Sequence, residues 1–282
     1  MEYDNFITHK IDFFMGNPKS GKTIAGGSYP KPLLYVSVGN DGGGRVLMTK
    51  YRDDVEKGLI KVKNLKNDPI INGKIATTSP EKLAKLLAEL RKPEADKFKT
   101  IVIDTVGALQ QDYKTYFEFS KGGKSLSKPE WGEVSKMVLN VEENMKRFSE
   151  ETGTQFVWIT HTRQLEVYET SGLNKEIRIV PDLTIATGIK FLKDASNVFY
   201  SCRKTIVTET GDRIVKFLTY IGAHPLMDTG TRDLIIEHGD FVENFTYDSW
   251  QQMVKEGKLK PVNVIEVEEN KDNEKQEILE GE

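Results

Sequence analysis

Gly16-Asn17-Pro18-Lys19-Ser20-Gly21-Lys22-Thr23 reads G-x-x-x-x-G-K-T, and the rest of the chain is organised around it. A stretch of this kind cradles a polyphosphate: glycines let the backbone turn successive N–H groups onto the anion, while a lysine reaches its outer oxygens. Lys22 is that lysine. Thr23 is placed to give its hydroxyl to Mg²⁺, and a helix opening near Gly21 points its positive end at the anion. The preceding Lys10-Ile11-Asp12-Phe13-Phe14-Met15 reads as a strand running straight into the loop, which is the strand–loop–helix order the cradle needs. An accidental match by a glycine-rich turn is the alternative, and the strand in front of it weighs against that. Gly16, Asn17, Pro18, Lys19, Ser20, Gly21, Lys22, Thr23 and the following Ile24 are the expected nucleotide contacts, with ATP and Mg²⁺ the expected ligands.

A chain of 282 residues, 38% hydrophobic and 29% charged, can bury the core of one α/β domain with additions. No apolar run reaches the ~20 residues a membrane helix needs. Met1-Glu2-Tyr3-Asp4 has neither the basic nor the apolar region of a leader, so no membrane partner is expected. The single cysteine, Cys202, excludes an internal disulfide and fits a reducing cytoplasm. The net charge of −3 is unevenly spread: residues 266–282 hold eight acids and two lysines, or −6, which leaves +3 on what precedes them. The expected organisation is one domain over residues 1–262 and an acidic, disordered tail over 263–282.

After the loop, a helix is expected over residues 22–28, ended by Pro30 and Pro32. Leu33-Leu34-Tyr35-Val36-Ser37-Val38 reads as a parallel strand covered on both faces. It runs into Gly39-Asn40-Asp41-Gly42-Gly43-Gly44, at the sheet edge where ligands sit in open parallel sheets. Residues 45–75 mix charges without a sustained period and read as an irregular or partly hairpin insertion. Ser79-Pro80-Glu81 reads as a helix start with Ser79 at the cap, followed by Leu83, Leu86, Leu87 and Leu90 at helical spacing.

Thr100-Ile101-Val102-Ile103-Asp104-Thr105 is a buried strand that delivers Asp104 to the sheet's carboxyl edge. A Mg²⁺-phosphate site needs such an acid beside its loop, where it can hold a metal-bound water. A helix over 106–119 then gives way to residues 120–129, glycine-rich, cationic and without acid. That loop reads either as a mobile solvated connection or as a contact for a nucleic-acid backbone. Trp131, Val134, Val138, Val141, Met145 and Phe148 mark an amphipathic helix over 130–151, with Trp131 assigned to the core. Gly153 ends it, and Gln155-Phe156-Val157-Trp158-Ile159-Thr160 brings His161 to the same edge as Asp104, where it can contact a γ-phosphate or the attacking water. Beyond lie an extended hairpin (165–169 with 176–180), a short helix (181–193), an antiparallel meander (197–202, 205–209, 213–220) at one side of the sheet, and a last helix over 247–256.

Taken together these motifs resemble the phage RecA-like nucleotide-binding proteins, the small ATP-dependent single-strand annealing recombinases of the RecA/RadA type. The resemblance is carried by the phosphate loop, by Asp41-Gly42-Gly43, by residues 101–105, by Glu130-Trp131-Gly132 and by Val157-Trp158-Ile159-Thr160-His161, and it covers residues 8–220. It implies an α/β RecA-like P-loop NTPase core, with a mostly parallel sheet extended by antiparallel strands. It implies that Asp41 polarises the attacking water, at a position where the family more often has glutamate, and that His161 senses the γ-phosphate. The family's two DNA-binding loops correspond to residues 121–128 and 162–181, which makes Lys121, Lys124, Lys128 and Arg163 the expected DNA contacts.

The resemblance further implies a homo-oligomer, ring or filament, in which Arg203, Lys204, Arg213 or Arg232 completes a neighbour's site. The acidic tail matches the tails through which such proteins meet single-strand binding or replication proteins; a merely solubilising end is the other reading. If the chain is of phage origin, its compartment is the host cytoplasm. The expected activity is a DNA-stimulated ATPase acting with single-stranded DNA in annealing or recombination. A replication-associated ATP switch or helicase loader acting on a protein partner is the competing reading. No Asn-Lys-x-Asp guanine-reading motif and no Leu-Ser-Gly-Gly transporter signature occur. A small-molecule kinase would need an acceptor pocket and a lid arginine pattern that the sequence does not display.

Overall fold

The structure is a computed structural model and describes residues 10–39, 42–72, 74–168, 175–207, 211–224, 226–233 and 241–256. The loop strand β1 (Ile11–Gly16) and α1 (Lys22–Gly27) are followed by β2 (Leu33–Val38), α2 (Gly43–Lys50), α3 (Arg52–Glu56), β3 (Ile60–Leu65) and α4 (Ser79–Leu90). Next come β4 (Thr100–Asp104), α5 (Val106–Ser120), α6 (Lys128–Thr152), β5 (Gln155–Thr160), β6 (Thr162–Tyr168), β7 (Lys175–Pro181) and α7 (Ile185–Asp194). The chain closes with β8 (Asn197–Val207), β9 (Arg213–Tyr220), β10 (Gly230–Thr231), β11 (Phe241–Glu243) and α8 (Tyr247–Glu256).

The main sheet runs β11-β9-β8-β1-β5-β4-β2-β3, with β10 also on β8, while β6 and β7 pair as a separate hairpin. From β8 to β3 the neighbours are all parallel; β9, β10 and β11 join antiparallel. This is the mostly parallel α/β sheet with antiparallel additions that the sequence implies. Strands β1, β2 and β4 are buried along their whole length, as helices on both faces demand. Residues of these strands and of β5 alternate between two cores. Phe13, Met15, Val36, Ile103 and Trp158 meet the leucines of α4 and the valines of α6 on one face. Phe14, Tyr35, Val102 and Ile159 meet Ala25 of α1, Leu47 of α2 and Trp250 of α8 on the other.

Residues 45–75 depart from the expected irregular insertion. They finish α2, form α3, and supply β3, a parallel edge strand on β2. Only one side of that strand meets a neighbour, so lysines alternate with its apolar residues and blur the strand signal. The α4 cap is Thr78 rather than Ser79: its side chain accepts from the Glu81 amide, and Glu81 returns the bond to the Thr78 amide at 2.7 Å. Residues 197–207 form one strand where two were expected, and its first half is a parallel member of the sheet, not part of an antiparallel meander.

Candidate nucleotide site

Gly16 closes β1 against β8, so tightly that a Cβ there would collide with the Ser201 carbonyl oxygen. Glycine is required at that point by close approach alone. Lys19 at φ 62° and Gly21 at φ 93° then bend the loop through left-handed conformations. The Lys19, Ser20 and Gly21 amides donate no hydrogen bond to any described residue. Lys22 is buried, and its Nζ donates to the Gly16 and Asn17 carbonyls at 2.8 Å each and to Ser20 Oγ at 3.3 Å. Unshared amides above a buried ammonium are the donor set that a polyphosphate takes.

The second half of the site comes from β4. Thr23 Oγ1 donates to Asp104 Oδ2 at 2.8 Å, so the loop and the acid 81 residues downstream share one point in space. The buried Tyr35 phenol of β2 donates to the same carboxylate oxygen. Gly43, the first residue of α2, lies over this contact: a Cβ there would come within 2.7 Å of both Asp104 Oδ2 and the Tyr35 hydroxyl. Among the described residues no group of three or more His, Cys, Asp or Glu side chains could hold a metal. One hydroxyl and one carboxylate next to a phosphate cradle fit Mg²⁺, which takes few protein ligands and keeps phosphate oxygens and water as the rest.

β5 lies between β1 and β4 and so delivers His161 between the loop and Asp104. The neighbouring Thr162 hydroxyl donates to Asn17 Oδ1 at 3.1 Å, tying the end of that strand to the loop. Gly107, in the first turn of α5, allows close approach to Thr160, whose Oγ1 would lie 3.2 Å from a Cβ there. Asp41 lies outside the described residues, as does the acidic tail; the neighbouring Gly39 and Gly42 follow β2 at the same edge.

Of the expected DNA residues, Lys121, Lys124 and Lys128 lie where α5 passes into α6, whereas Arg163 directly follows Thr162, which bonds the loop. The far end of α6 is at the amino edge of the sheet, where Ser149 Oγ accepts from the Lys10 amide at 3.2 Å. Its Ser135 hydroxyl meets Thr184 Oγ1 at 2.9 Å, and the Thr184 amide bonds Gln110 Oε1 of α5 at 2.9 Å, close to the strand end at His161. The seven residues of α6 before Ser135, about 10 Å of helix, therefore stand above the carboxyl rim with the last turns of α5. Lys124 and Lys128 are exposed there, Lys121 is ion-paired to Glu130, and Lys114 lies over the Trp131 ring at 5.8 Å. Trp131 is half-buried against the core. On β6 the Arg163 guanidinium donates to the Leu183 carbonyl at 3.0 Å.

Sequence reading missed Tyr35 and Gly43. A tyrosine inside an apolar run is the available signal, since a buried phenol needs a partner. The run Gly42-Gly43-Gly44 is the other, being longer than a turn requires.

A sheet of this order with the loop at β1 and an acid on the next-but-one strand defines a P-loop NTPase. The family model AAA_24, described as an AAA domain, matches residues 12–232, and the chain belongs to that family. Nucleotide binding and ATPase-type activity come with it. Comparison with curated proteins gave no match. No helix among the described residues is long and apolar enough to cross a membrane.

Proposed function

We propose that this chain is a RecA-like protein of phage type that uses ATP and Mg²⁺ to bind single-stranded DNA as a homo-oligomer, and promotes annealing or strand exchange. The observation that carries the reading is the continuity of α5. Thr105, next to Asp104, caps the helix by accepting from the Ala108 amide at 3.2 Å, and Lys121 follows its last residue. About 22 Å of helix thus joins the acid of the nucleotide site to the basic loop above the rim. A change at the phosphate is mechanically connected to the DNA contacts.

Lys22 and the loop amides hold the phosphates, and Thr23 and Asp104 hold the metal. When bound, Mg²⁺ would neutralise charge on the outer phosphate oxygens. Asp41 is the proposed base that takes the proton of the attacking water, and His161 contacts the γ-phosphate. Lys124, Lys128, Lys121 and Arg163 meet the DNA backbone, and one of Arg203, Lys204, Arg213 and Arg232 completes a neighbour's site. Residues 263–282 recruit a single-strand binding or replication protein.

The test is ATP turnover with and without single-stranded DNA, beside DNA binding by Lys22→Ala. Stimulated turnover and loss of ATP-dependent binding in the variant are expected; unchanged DNA affinity in the variant would refute the coupling. A second reading, a replication-associated ATP switch on a protein partner, is favoured by one observation. Two of the four expected DNA cations are already engaged, Lys121 by Glu130 and Arg163 by Leu183. A salt titration separates them, because phosphate contacts give a steep loss of affinity and a protein-only switch gives no binding to titrate.

A further inference from the structure

α7 buries one face against the sheet and, among the described residues, leaves a second apolar face open. Phe191 packs on Phe13 and Trp158, whereas Ile185 and Ile189 are 59% and 60% exposed. The charged side of the helix turns to α6, where Lys190 meets Glu142 at 3.4 Å and Lys146 meets Asp194 at 3.9 Å. At 3.6 residues per turn, Ile185, Ile189 and Leu192 stand roughly 150° round the helix from Lys190 and Asp194, so they face away from α6. Leu165, Val180 and Pro181 of the β6–β7 hairpin continue this stripe into an open groove, with the exposed Asp228 among its walls. Arg163, also at the groove, is held on the Leu183 carbonyl at 3.0 Å.

The opposite flank carries a knob. Between β3 and α4 the Asp68 amide bonds the Thr77 carbonyl at 2.9 Å, and Ile71 and Lys74 exchange both backbone bonds at 3.0 Å, which closes a turn around Ile70 and Ile71. Ile71 is 68% exposed and Ile70 45%, and the Lys74 cation is exposed beside them. α4 packs on the side of α6 away from α7: its cap residue Arg91 donates to Glu151 at 2.6 Å and to the Asn144 carbonyl at 3.3 Å. In the sheet β3 stands four strand steps from β1, about 19 Å. Tip and groove thus lie on opposite flanks and cannot meet within one chain.

From this placement we infer that the Ile70–Ile71 tip of one copy of this chain seats in the α7 groove of the next, with Lys74 beside Asp228. This contact rests on the homo-oligomer proposed above and gives it an interface. The tip offers two apolar side chains and a cation, and the groove offers apolar walls and an acid. Pairing two different patches is head-to-tail, so every copy still has a tip or a groove to offer, and the assembly grows into a ring or filament.

Sedimentation velocity of the full chain over a concentration series tests this, with Ile71→Asp for the tip and Ile189→Asp for the groove. Both side chains are exposed, so both variants are expected to keep the fold, as thermal melting checks. The unsubstituted chain is expected to associate, and each variant to need about ten-fold or more higher concentration to do so. Mixing the two variants separates tip-to-groove pairing from other contacts. One brings an intact groove and the other an intact tip, so together they are expected to form a pair and nothing larger. Lys74→Glu and Asp228→Lys are a milder set: each alone is expected to weaken association, and the double variant to restore it. Association of the aspartate variants like that of the parent would overturn the contact while the homo-oligomer stands, and would leave the groove to a partner other than this chain. Dissociated variants that fail to pair on mixing would overturn the match of tip to groove. An unsubstituted chain that stays monomeric throughout would overturn the homo-oligomer, and the contact with it.

Discussion

Thr23 Oγ1 and Asp104 Oδ2 are 2.8 Å apart, so the phosphate loop and the carboxylate of β4 form one metal-sized site. Replacing either group removes a ligand oxygen without opening a cavity. Thr23→Ala and Asp104→Asn are therefore expected to keep the fold, as judged by thermal melting, and to cut ATP turnover by about 10²-fold or more. Titration of turnover against Mg²⁺ should show the requirement displaced to higher concentration. Wild-type turnover in both variants would remove these residues from the metal site.

Tyr35 tests the support behind that site. Its ring fills the core beside Val102 and Leu47, and its hydroxyl fixes the Asp104 carboxylate. Tyr35→Phe keeps the ring and deletes one donor to a charged acceptor, a loss of about 2 kcal/mol. Denaturant unfolding should register it. The accompanying effect is a weaker response of turnover to Mg²⁺ with nucleotide affinity little changed, because the loop amides are untouched. A stability loss with an unaltered Mg²⁺ response would limit Tyr35 to packing.

For DNA, the lysines above the rim are not equivalent. Lys124 and Lys128 are exposed, whereas Lys121 already neutralises Glu130. Each phosphate contact removed should lower the slope of log affinity against log salt by about 0.7 on a single strand. Lys124→Ala and Lys128→Ala are each expected to do so, and Lys121→Ala to do less, since its ammonium is already paired with Glu130 and replaces fewer counterions on the strand. Filter or anisotropy binding over a salt series measures all three. Identical slopes in every variant would exclude the tip of the α5–α6 hairpin from the interface.

What could be read in advance follows burial. β1, β4 and β5 lie in the covered centre of the sheet, so apolar runs survive intact and point directly at the loop, Asp104 and His161. The α6 stripe from Val134 to Phe148 was equally legible, and Gly153 ends that helix at φ 70° as a left-handed cap. Legibility fails at the margins. β3 has one neighbour, and β8 is exposed from Arg203 to Thr205, so Arg203-Lys204 interrupts its apolar pattern and reads as a break. Tyr35 was hidden for the opposite reason. In sequence it is one more bulky residue in an apolar strand, and only its reach to Asp104 gives it a second role.

Asp12 gives a prediction at the other edge of the sheet, away from the nucleotide. Its buried carboxylate accepts from the Tyr29 hydroxyl at 2.6 Å, from Gln155 Nε2 at 3.0 Å and from Asn197 Nδ2 at 2.7 Å, and Asn197 Nδ2 also donates to Asp233 at 2.7 Å. Burial pushes Asp12 up from 3.8 to about 6, the three donors opposing the rise and the nearby Asp233 charge adding to it. Between those two values the folded chain keeps a proton that the unfolded chain has released. The stability from this group is thus complete below the unfolded value and is lost as pH rises through about 6, some ~3 kcal/mol in all. Asp12→Asn is neutral throughout and turns an amide toward Asn197, so it should be less stable than the parent at about pH 5. Its stability should also change less between about pH 5 and about pH 7.5, by about 1 kcal/mol. Urea unfolding of both proteins at the two pH values gives the comparison, and equal pH dependence would mean that Asp12 stays ionised in its buried network.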